Sequence, residues 1–268
     1  MTVSKTTSTR HGIPLSREEL VTALSDQVLD GRYQPGSKLP SERHLSEQYG
    51  LSRPIVREVL RSLAERGLIQ IVAARGAFVR TAGSSDLANP MDTLARQQGA
   101  TPRHLVEARA MLERQAAVLA AERAGTAEIA AMESVVDAFE QTRDVLDRAR
   151  RDLAFHALIA KASRNPVIET MFGSIAPLIF EMQLRSLDDP EVVDRGGPLH
   201  RLVLQAIRDR DGQAAGEAIH THVTLAYELF GEDLDASLDA IARRKVARLL
   251  GAGTTLEDVI ADVLSPDH

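Results

Sequence analysis

Residues 31–79 have the sequence GRYQPGSKLPSERHLSEQYGLSRPIVREVLRSLAERGLIQIVAARGAFV, and this stretch decides the fold of the first third of the chain. Ser41 is a good N-cap for one helix, and Gly50 can adopt the left-handed conformation that often ends a helix. Ser52 is placed to cap a second helix, which tolerates Pro54 in its first turn because the missing amide would be unpaired there. The stretch therefore predicts two helices joined by a tight turn.

The second predicted helix, residues 53–66, has an apolar face and a basic face. Its apolar residues recur at the helical period, at Ile55, Val56, Val59, Leu60 and Leu63. Arginines spaced four apart form a stripe on another face, and the runs 68–72 and 77–80 predict a two-stranded hairpin that turns at 73–76. Together these features predict a winged helix-turn-helix whose second helix enters the major groove of DNA. A helical hairpin whose arginines only keep it soluble is the alternative, and a basic stripe alone would favour it.

The segments PGSKLPSER, LSRPIVREVLRSLAERGLI and RGAFV resemble the DNA-binding domain of the GntR family of bacterial transcription regulators over residues 17–80. The resemblance implies base contacts from Arg53 and Arg57, preferentially with guanine, and phosphate contacts from Arg43 and Ser52. It also places a wing tip at 73–76, where many relatives have two glycines and this chain has Ala74 in place of the first. The implied DNA-binding residues are Arg43, Ser52, Arg53, Arg57, Arg75 and Gly76.

Composition limits the class of protein. The 268 residues suffice for two domains, and the absence of cysteine excludes a disulfide framework or a thiolate metal site. The net charge is −6, but residues 1–80 carry 12 Lys and Arg against 8 Asp and Glu, which suits a basic DNA-binding domain on an acidic body. The N-terminus has no apolar signal core and no apolar run reaches membrane-spanning length, so we expect a soluble, cytoplasmic protein.

The pattern predicts a mainly α protein in five parts. Residues 1–15 form a polar tail, 16–80 the winged helix-turn-helix domain, 81–90 a linker, 91–231 a helical effector-binding and dimerisation domain, and 232–268 a helical extension of unknown role. The helical domain is predicted as an antiparallel bundle of six to seven helices. Its predicted helices span 102–123, 127–146, 148–163, 166–187, 198–210 and 212–230, and the extension adds 236–250 and 254–264.

One group of residues in the bundle carries metal chemistry. Asp152 and His156 are four apart on one helix, while His200 and His222 lie on apolar faces of later helices. An aspartate and three histidines meeting in a bundle would suit a divalent transition metal such as Zn, Ni, Mn or Fe. A histidine on an apolar face is more often a satisfied core residue, and an Asp–His pair one turn apart can be a simple ion pair, so both alternatives stay open here.

Residues 89–230 resemble the FCD ligand-binding domain of the FadR subfamily, and this resemblance favours the metal. In metal-containing members an Asp, a His one turn later and two later His bind the ion, as Asp152, His156, His200 and His222 would here. We expect zinc in the purified protein. The resemblance also implies effector contacts from Arg109 and Asn165, although Arg109 could instead be a surface partner of Glu113. It implies a small organic acid as effector: a sugar acid, a hydroxy acid or a dicarboxylate.

The predicted function is a ligand-controlled transcription regulator, more often a repressor in this family. Two chains would dimerise through the helical domain and bind a palindromic operator in double-stranded DNA, without a membrane. One alternative is the same regulator with a purely structural metal and an effector bound elsewhere. A less favoured alternative is a metal-dependent enzyme, which would need catalytic groups that the sequence does not display.

Overall fold

A computed structural model describes residues 15–80, 87–239 and 256–264. The chain divides into two compact units, Met1–Ala82 and Gly83–His268, which are described separately. The division falls inside the predicted linker, and the predicted tail lies outside the described residues except for residue 15.

The first unit consists of three helices and a hairpin: α1 (Arg17–Leu29), α2 (Glu42–Tyr49), α3 (Arg53–Glu65), β1 (Ile69–Val72) and β2 (Gly76–Val79). Ser41 caps α2 by accepting a hydrogen bond from the His44 amide at 3.2 Å. Gly50 ends that helix with φ of 69°, in the left-handed region where glycine is least strained. The predicted winged helix-turn-helix is confirmed.

The core of this unit comes from one face of each helix. Its fully buried side chains lie on α1, α2, α3 and the hairpin, and they are Leu20, Leu24, Leu45, Val56, Val59, Leu63 and Ile69. Ile55 was grouped with the apolar face by spacing, but it is 36% exposed. The face buried by α3 is therefore narrower than the sequence predicted, which leaves its arginine face open to solvent.

The wing is a tight antiparallel hairpin that pairs Ile69 with Val79 and Val72 with Gly76. The segment before α2 joins it, because the Leu39 amide donates to the Ala77 carbonyl at 2.9 Å. Ala74 sits at the turn with φ of 60°. This is a left-handed conformation that costs a residue with a Cβ free energy, so an alanine here strains the wing tip.

Replacing Ala74 with glycine is expected to stabilise the first unit by about 1 kcal/mol, because glycine adopts a positive φ without the Cβ clash. Urea unfolding of the full chain, followed by a probe in this unit, measures the effect. Ala73→Gly is the matched control: Ala73 has no positive φ, so the substitution should be neutral or destabilising. Equal effects of the two substitutions would contradict the assigned strain.

The second unit is a helical bundle with a short C-terminal helix. Its main helices are α4 (Ala88–Gln97), α5 (Pro102–Arg123), α6 (Thr126–Gln141), α7 (Val145–Ala162), α8 (Pro166–Ser186), α9 (Pro190–Arg208), α10 (Gly212–Thr224), α11 (Ala226–Leu229) and α12 (Leu256–Val263). A 3₁₀ turn, Gly231–Asp235, follows α11. The predicted helix 236–250 lies outside the described residues apart from 236–239.

Several predicted boundaries in this unit were wrong. The predicted helix 127–146 ends at Gln141, because Asp144 caps a new helix by accepting from the Asp147 amide at 2.8 Å. Residues 88–90 are helical rather than linker. The segment before residue 198 is helical from Pro190, although its proline and paired glycines predicted a break.

The paired glycines lie inside α9 and do not form a turn. A Cβ on Gly197 would lie 3.5 Å from the Phe139 ring, and one on Gly196 would lie 3.9 Å from the His222 ring. Both distances are ordinary van der Waals contacts, so an alanine would fit at either position and the packing of α9 does not require glycine.

The prediction that no apolar run reaches membrane-spanning length was wrong for helix α8. By length and composition its 21 residues would suffice, but 72% of its most apolar window is buried inside the unit. That burial is typical of the central helix of a bundle, and the residues around it form the core.

The extension is packed into the second unit. Val259, Ile260 and Val263 of α12 are buried in its core. Ion pairs also join residues 233–239 to the bundle: Arg185–Asp233 at 2.9 Å, Arg103–Asp235 at 2.7 Å and Arg96–Asp239 at 3.0 Å.

Candidate functional site

Three helices bring the predicted metal ligands together. Asp152 and His156 come from α7, His200 from α9 and His222 from α10, and each offers a ligand atom within 4.8 Å of the others. His200 Nε2 lies 2.8 Å from Asp152 Oδ1, and His156 Nε2 lies 3.2 Å from His222 Nε2. Asp152, His156 and His200 are buried in the bundle, and His222 is half-buried.

The donor set fits a divalent cation. His200 Nδ1 and His222 Nδ1 are buried without a hydrogen-bond partner among the residues that the structure describes, which is costly for polar atoms unless something occupies the site. Three imidazoles and one carboxylate are typical ligands of divalent transition metals. These four residues could therefore hold such an ion.

The electrostatics favour the protonation states that metal ligands need. Burial, together with the neighbouring His200 and His156, holds the pKa of His222 well below its usual value, which leaves a neutral imidazole with a free lone pair. Burial alone would raise the pKa of Asp152, but the surrounding histidines outweigh it and lower the pKa, so the carboxylate is ionised.

Glu113 on α5 is a functional residue that the sequence prediction missed. It is 3% exposed and its Oε2 makes a very short hydrogen bond with His156 Nδ1. With the His156 Nδ1 proton donated to Glu113, the Nε2 lone pair is left facing the other ligands, as outer-sphere carboxylates commonly arrange in metal sites. Arg109 and His156 outweigh the effect of burial and lower the pKa of Glu113 to about 2.

Arg109 lies where the resemblance placed it, but it is already paired. Its Nε donates to Glu113 Oε1 at 2.6 Å, and both side chains are buried. The alternative of a pair with Glu113 therefore holds, although the pair is in the interior and not on the surface. Arg109, Glu113 and His156 form a continuous chain of contacts that ends at the candidate metal ligands.

A cavity of about 70 Å³ adjoins the ligands. Its polar lining comprises Arg109, Asp152, Gln183, Ser186, His200 and His222. Asn165, which was predicted to contact the effector, does not line it. Its Oδ1 instead caps α8 by accepting from the Val167 amide at 3.0 Å, which explains an asparagine at that position.

Three of the predicted DNA-binding arginines are exposed to solvent on the first unit. Arg43, Arg53 and Arg57 have side chains that are 78%, 62% and 53% exposed. Arg57 is not unpaired, because it donates two hydrogen bonds to Glu42, at 3.0 and 2.9 Å. Those hydrogen bonds, with Arg53 and Arg61 nearby, lower the pKa of Glu42.

The remaining predicted contacts are Ser52 and two residues of the wing. Ser52 occupies the N-cap position of α3. Its hydroxyl makes no capping hydrogen bond with the first turn of that helix, whose residues the structure describes in full. The predicted cap was wrong, and the hydroxyl is left available to another acceptor or donor. Arg75 and Gly76 lie at the wing tip, where the Arg75 guanidinium is 5.5 Å from the centre of the Phe78 ring.

Comparison with known protein families matches both units. Residues 16–79 match the family described as bacterial regulatory proteins, gntR family, and residues 104–225 match the FCD domain. The four candidate metal ligands, Glu113 and Arg109 all fall within the second match.

Similar proteins align with most of this chain. The galactonate operon transcriptional repressor of Escherichia coli K12 is 32% identical over 219 residues, which cover 77% of this chain and 93% of the relative. The Glc operon transcriptional activator of the same strain is 29% identical over 216 residues, which cover 77% of this chain and 85% of the relative. A solved structure, Streptococcus agalactiae GntR, has a TM-score of 0.64 at 24% identity over 80% of this chain and 99% of that one, which supports the fold.

Proposed function

This chain belongs to the GntR family of bacterial DNA-binding transcription regulators, and we propose that a small organic acid, bound at a metal ion in the FCD domain, controls its affinity for operator DNA. The observation that carries the proposal is the buried group of one aspartate and three histidines with a cavity against it. The family consists of regulators rather than enzymes, so the catalytic alternative is set aside.

Asp152, His156, His200 and His222 would hold the metal, with Glu113 fixing the orientation of His156. A divalent ion supplies positive charge and open coordination positions that attract carboxylate oxygens. Zinc, nickel, manganese and iron all accept this ligand set, and zinc is the ion we expect in the purified protein. The partly buried surroundings strengthen electrostatic attraction of an anionic ligand.

The name of one relative supports an acid as effector, and two names together leave the direction of control open. Galactonate is a carboxylic acid, and the relative named for its operon is a repressor, whereas the Glc operon relative is an activator. We propose repression for this chain, as a cytoplasmic homodimer whose two DNA-binding units contact the halves of a palindromic operator.

The test is operator binding with defined metal and acid content. The full chain is used to select binding sites from random DNA, and affinity for the selected site is then measured with zinc, with a panel of organic acids and with a chelator. We expect an acid to change the affinity about tenfold only when metal is present, which corresponds to about 1.4 kcal/mol of coupling. Metal that stabilises the protein while no acid changes DNA affinity would favour the structural-metal alternative.

A further inference from the structure

A second cavity lies on the face of α7 opposite to the candidate metal ligands. Its lining on this helix recurs at intervals of four and three residues, at Asp147, Arg151, Ala154, Leu158 and Lys161. That spacing defines one face of a helix. At about 100° per residue, Asp152 and His156 project from the other side of the same helix. Among the described residues, none lines both this cavity and the one beside the metal ligands.

The cavity is large enough for an organic molecule and is partly open to solvent. Its volume is about 420 Å³, compared with about 70 Å³ beside the metal ligands, and small-molecule sites typically have about 300–1,000 Å³. Its walls come from α6, α7, α8 and the end of α12, with apolar side chains at Val135, Ala154, Leu158, Phe172, Val263 and Leu264. The last two lie beyond the FCD match at residues 104–225, so the C-terminal extension contributes part of the wall.

Arg150 lines this cavity without a charged partner. It is half-buried, its Nε is buried without a hydrogen-bond partner, and it makes no ion pair within the parts of the chain that the structure describes. The Nε of the adjacent Arg151 is also buried and unpaired, while the Arg151 Nη2 lies 3.3 Å from Asp147 Oδ1. This end of the cavity therefore has two guanidinium groups and one carboxylate, which leaves a net positive charge.

Lys161 and Glu169 mark the far end of the cavity. Lys161 is eleven residues beyond Arg150, about 16 Å along the helix. Helices α7 and α8 are joined by residues 163–165 and pack together, so they run antiparallel, and Glu169 in the first turn of α8 lies beside the end of α7. Lys161 and Asp262 already have interactions of their own. Glu169 has no ion pair in the described ranges, so an anion is repelled from this end and favoured at Arg150.

We propose that this cavity binds an amphipathic organic monoanion, whose carboxylate pairs with Arg150 and Arg151 and whose apolar body lies along Ala154 and Leu158. A guanidinium and a carboxylate pair through two parallel hydrogen bonds, which supply the orientation. Burial of the apolar body against the cavity wall supplies a further driving force. The site is separate from the candidate metal ligands, so this inference does not depend on the proposed function.

The test compares two probes that differ in charge, 2-naphthoate and its neutral analogue 2-naphthamide. Both have the same apolar body and only the first has a carboxylate. Isothermal titration calorimetry of the full chain is carried out once with zinc and once with a chelator. We expect naphthoate to bind at least tenfold more tightly than naphthamide, because a hydrogen bond to a charged group is stronger than one between neutral groups. Its affinity should be the same with zinc and with chelator.

Arg150→Met tests the residue, because methionine keeps an apolar stem and removes the guanidinium. Naphthoate should then bind at least fivefold more weakly than to the parent, while naphthamide binds equally to both. Arg148→Met is the matched control. It removes the same charge from the same helix, but Arg148 does not line this cavity and donates to the Thr142 carbonyl at 2.7 Å. This control should keep the preference for naphthoate, and the melting temperature of each variant confirms that it is folded.

Several outcomes overturn this inference. Equal affinity of the parent for the two probes would remove the role of the arginines, and no binding of either probe up to its solubility limit would remove the site. A preference lost equally in Arg148→Met and Arg150→Met would mean that only the overall charge of α7 matters. Naphthoate that binds only in the presence of zinc would lie at the metal ligands instead. Metal-dependent control of operator binding is measured independently of all these results.

Discussion

Replacing Glu113 with leucine is expected to destabilise the FCD domain by about 3–5 kcal/mol, because it leaves the buried Arg109 guanidinium without its counterion. The same change removes the acceptor for His156 Nδ1, a second buried polar group. Chemical unfolding in the presence of a chelator measures this loss without any contribution from bound metal. A variant as stable as the parent would show that Arg109 finds another partner and would contradict the assigned pairing.

A matched control separates the effect of losing a buried ion pair from that of losing an exposed one. Glu133 also pairs with an arginine, Arg208 at 2.8 Å, but its side chain is 44% exposed. Glu133→Leu removes the same group from the same kind of pair in solvent, where an ion pair contributes about 0–1 kcal/mol. The difference between the two variants therefore reports the cost of leaving Arg109 and His156 Nδ1 unpaired in the interior.

The same Glu113 substitution should weaken metal binding. Outer-sphere partners of metal-bound histidines typically account for 10–100-fold in affinity, because they fix the ring and its tautomer. Glu113→Gln keeps a hydrogen-bonding group of similar shape, so we expect its unfolding midpoint to lie closer to that of the parent than the midpoint of Glu113→Leu does. We still expect it to bind zinc about tenfold more weakly than the parent. Unchanged zinc affinity in this variant would mean that Glu113 serves the fold and not the metal.

The local sequence was enough to predict the first unit. Ser41, Gly50 and the apolar period of α3 act within a few residues of one another, so caps and spacing determined the helices and the wing. The departures there are also local. Ile55 is exposed because α3 packs along a narrow stripe, and Ser52 reaches the N-cap position without making the cap.

The candidate site was only partly predictable, because its outer contacts join distant helices. The four ligands were found from their spacing and from the family resemblance. The pairing of Glu113 with His156 spans 43 residues and that of Gln183 with Asp152 spans 31, and neither leaves a periodic signal. Gly196 and Gly197 misled the prediction because they lie inside α9 rather than at a turn, and their neighbours leave room for a Cβ.

Replacing Arg53 or Arg57 with alanine is expected to weaken binding to the selected operator by about tenfold to a hundredfold. The affinity for shuffled DNA of the same length should fall much less. A bidentate contact with a guanine edge discriminates between bases, so its loss reduces specificity as well as affinity. Fluorescence anisotropy at one fixed salt concentration, with operator and shuffled duplexes, measures both quantities. Binding of the acid to the FCD domain should be unchanged in either variant.

Arg61→Ala is the matched control, because it removes the same charge from the same helix, where Arg61 pairs with Glu58 at 3.0 Å. The loss of DNA affinity in Arg61→Ala should be smaller and similar for both duplexes, as expected for a general electrostatic effect.

The pairing of Arg57 with Glu42 also affects how Arg57 can bind DNA. Glu42 holds it with two hydrogen bonds, so a base edge must displace a carboxylate that DNA phosphates also repel. If Arg61→Ala lost as much operator specificity as Arg57→Ala, the basic stripe would act only through its charge, and the assignment of base contacts to Arg53 and Arg57 would be wrong.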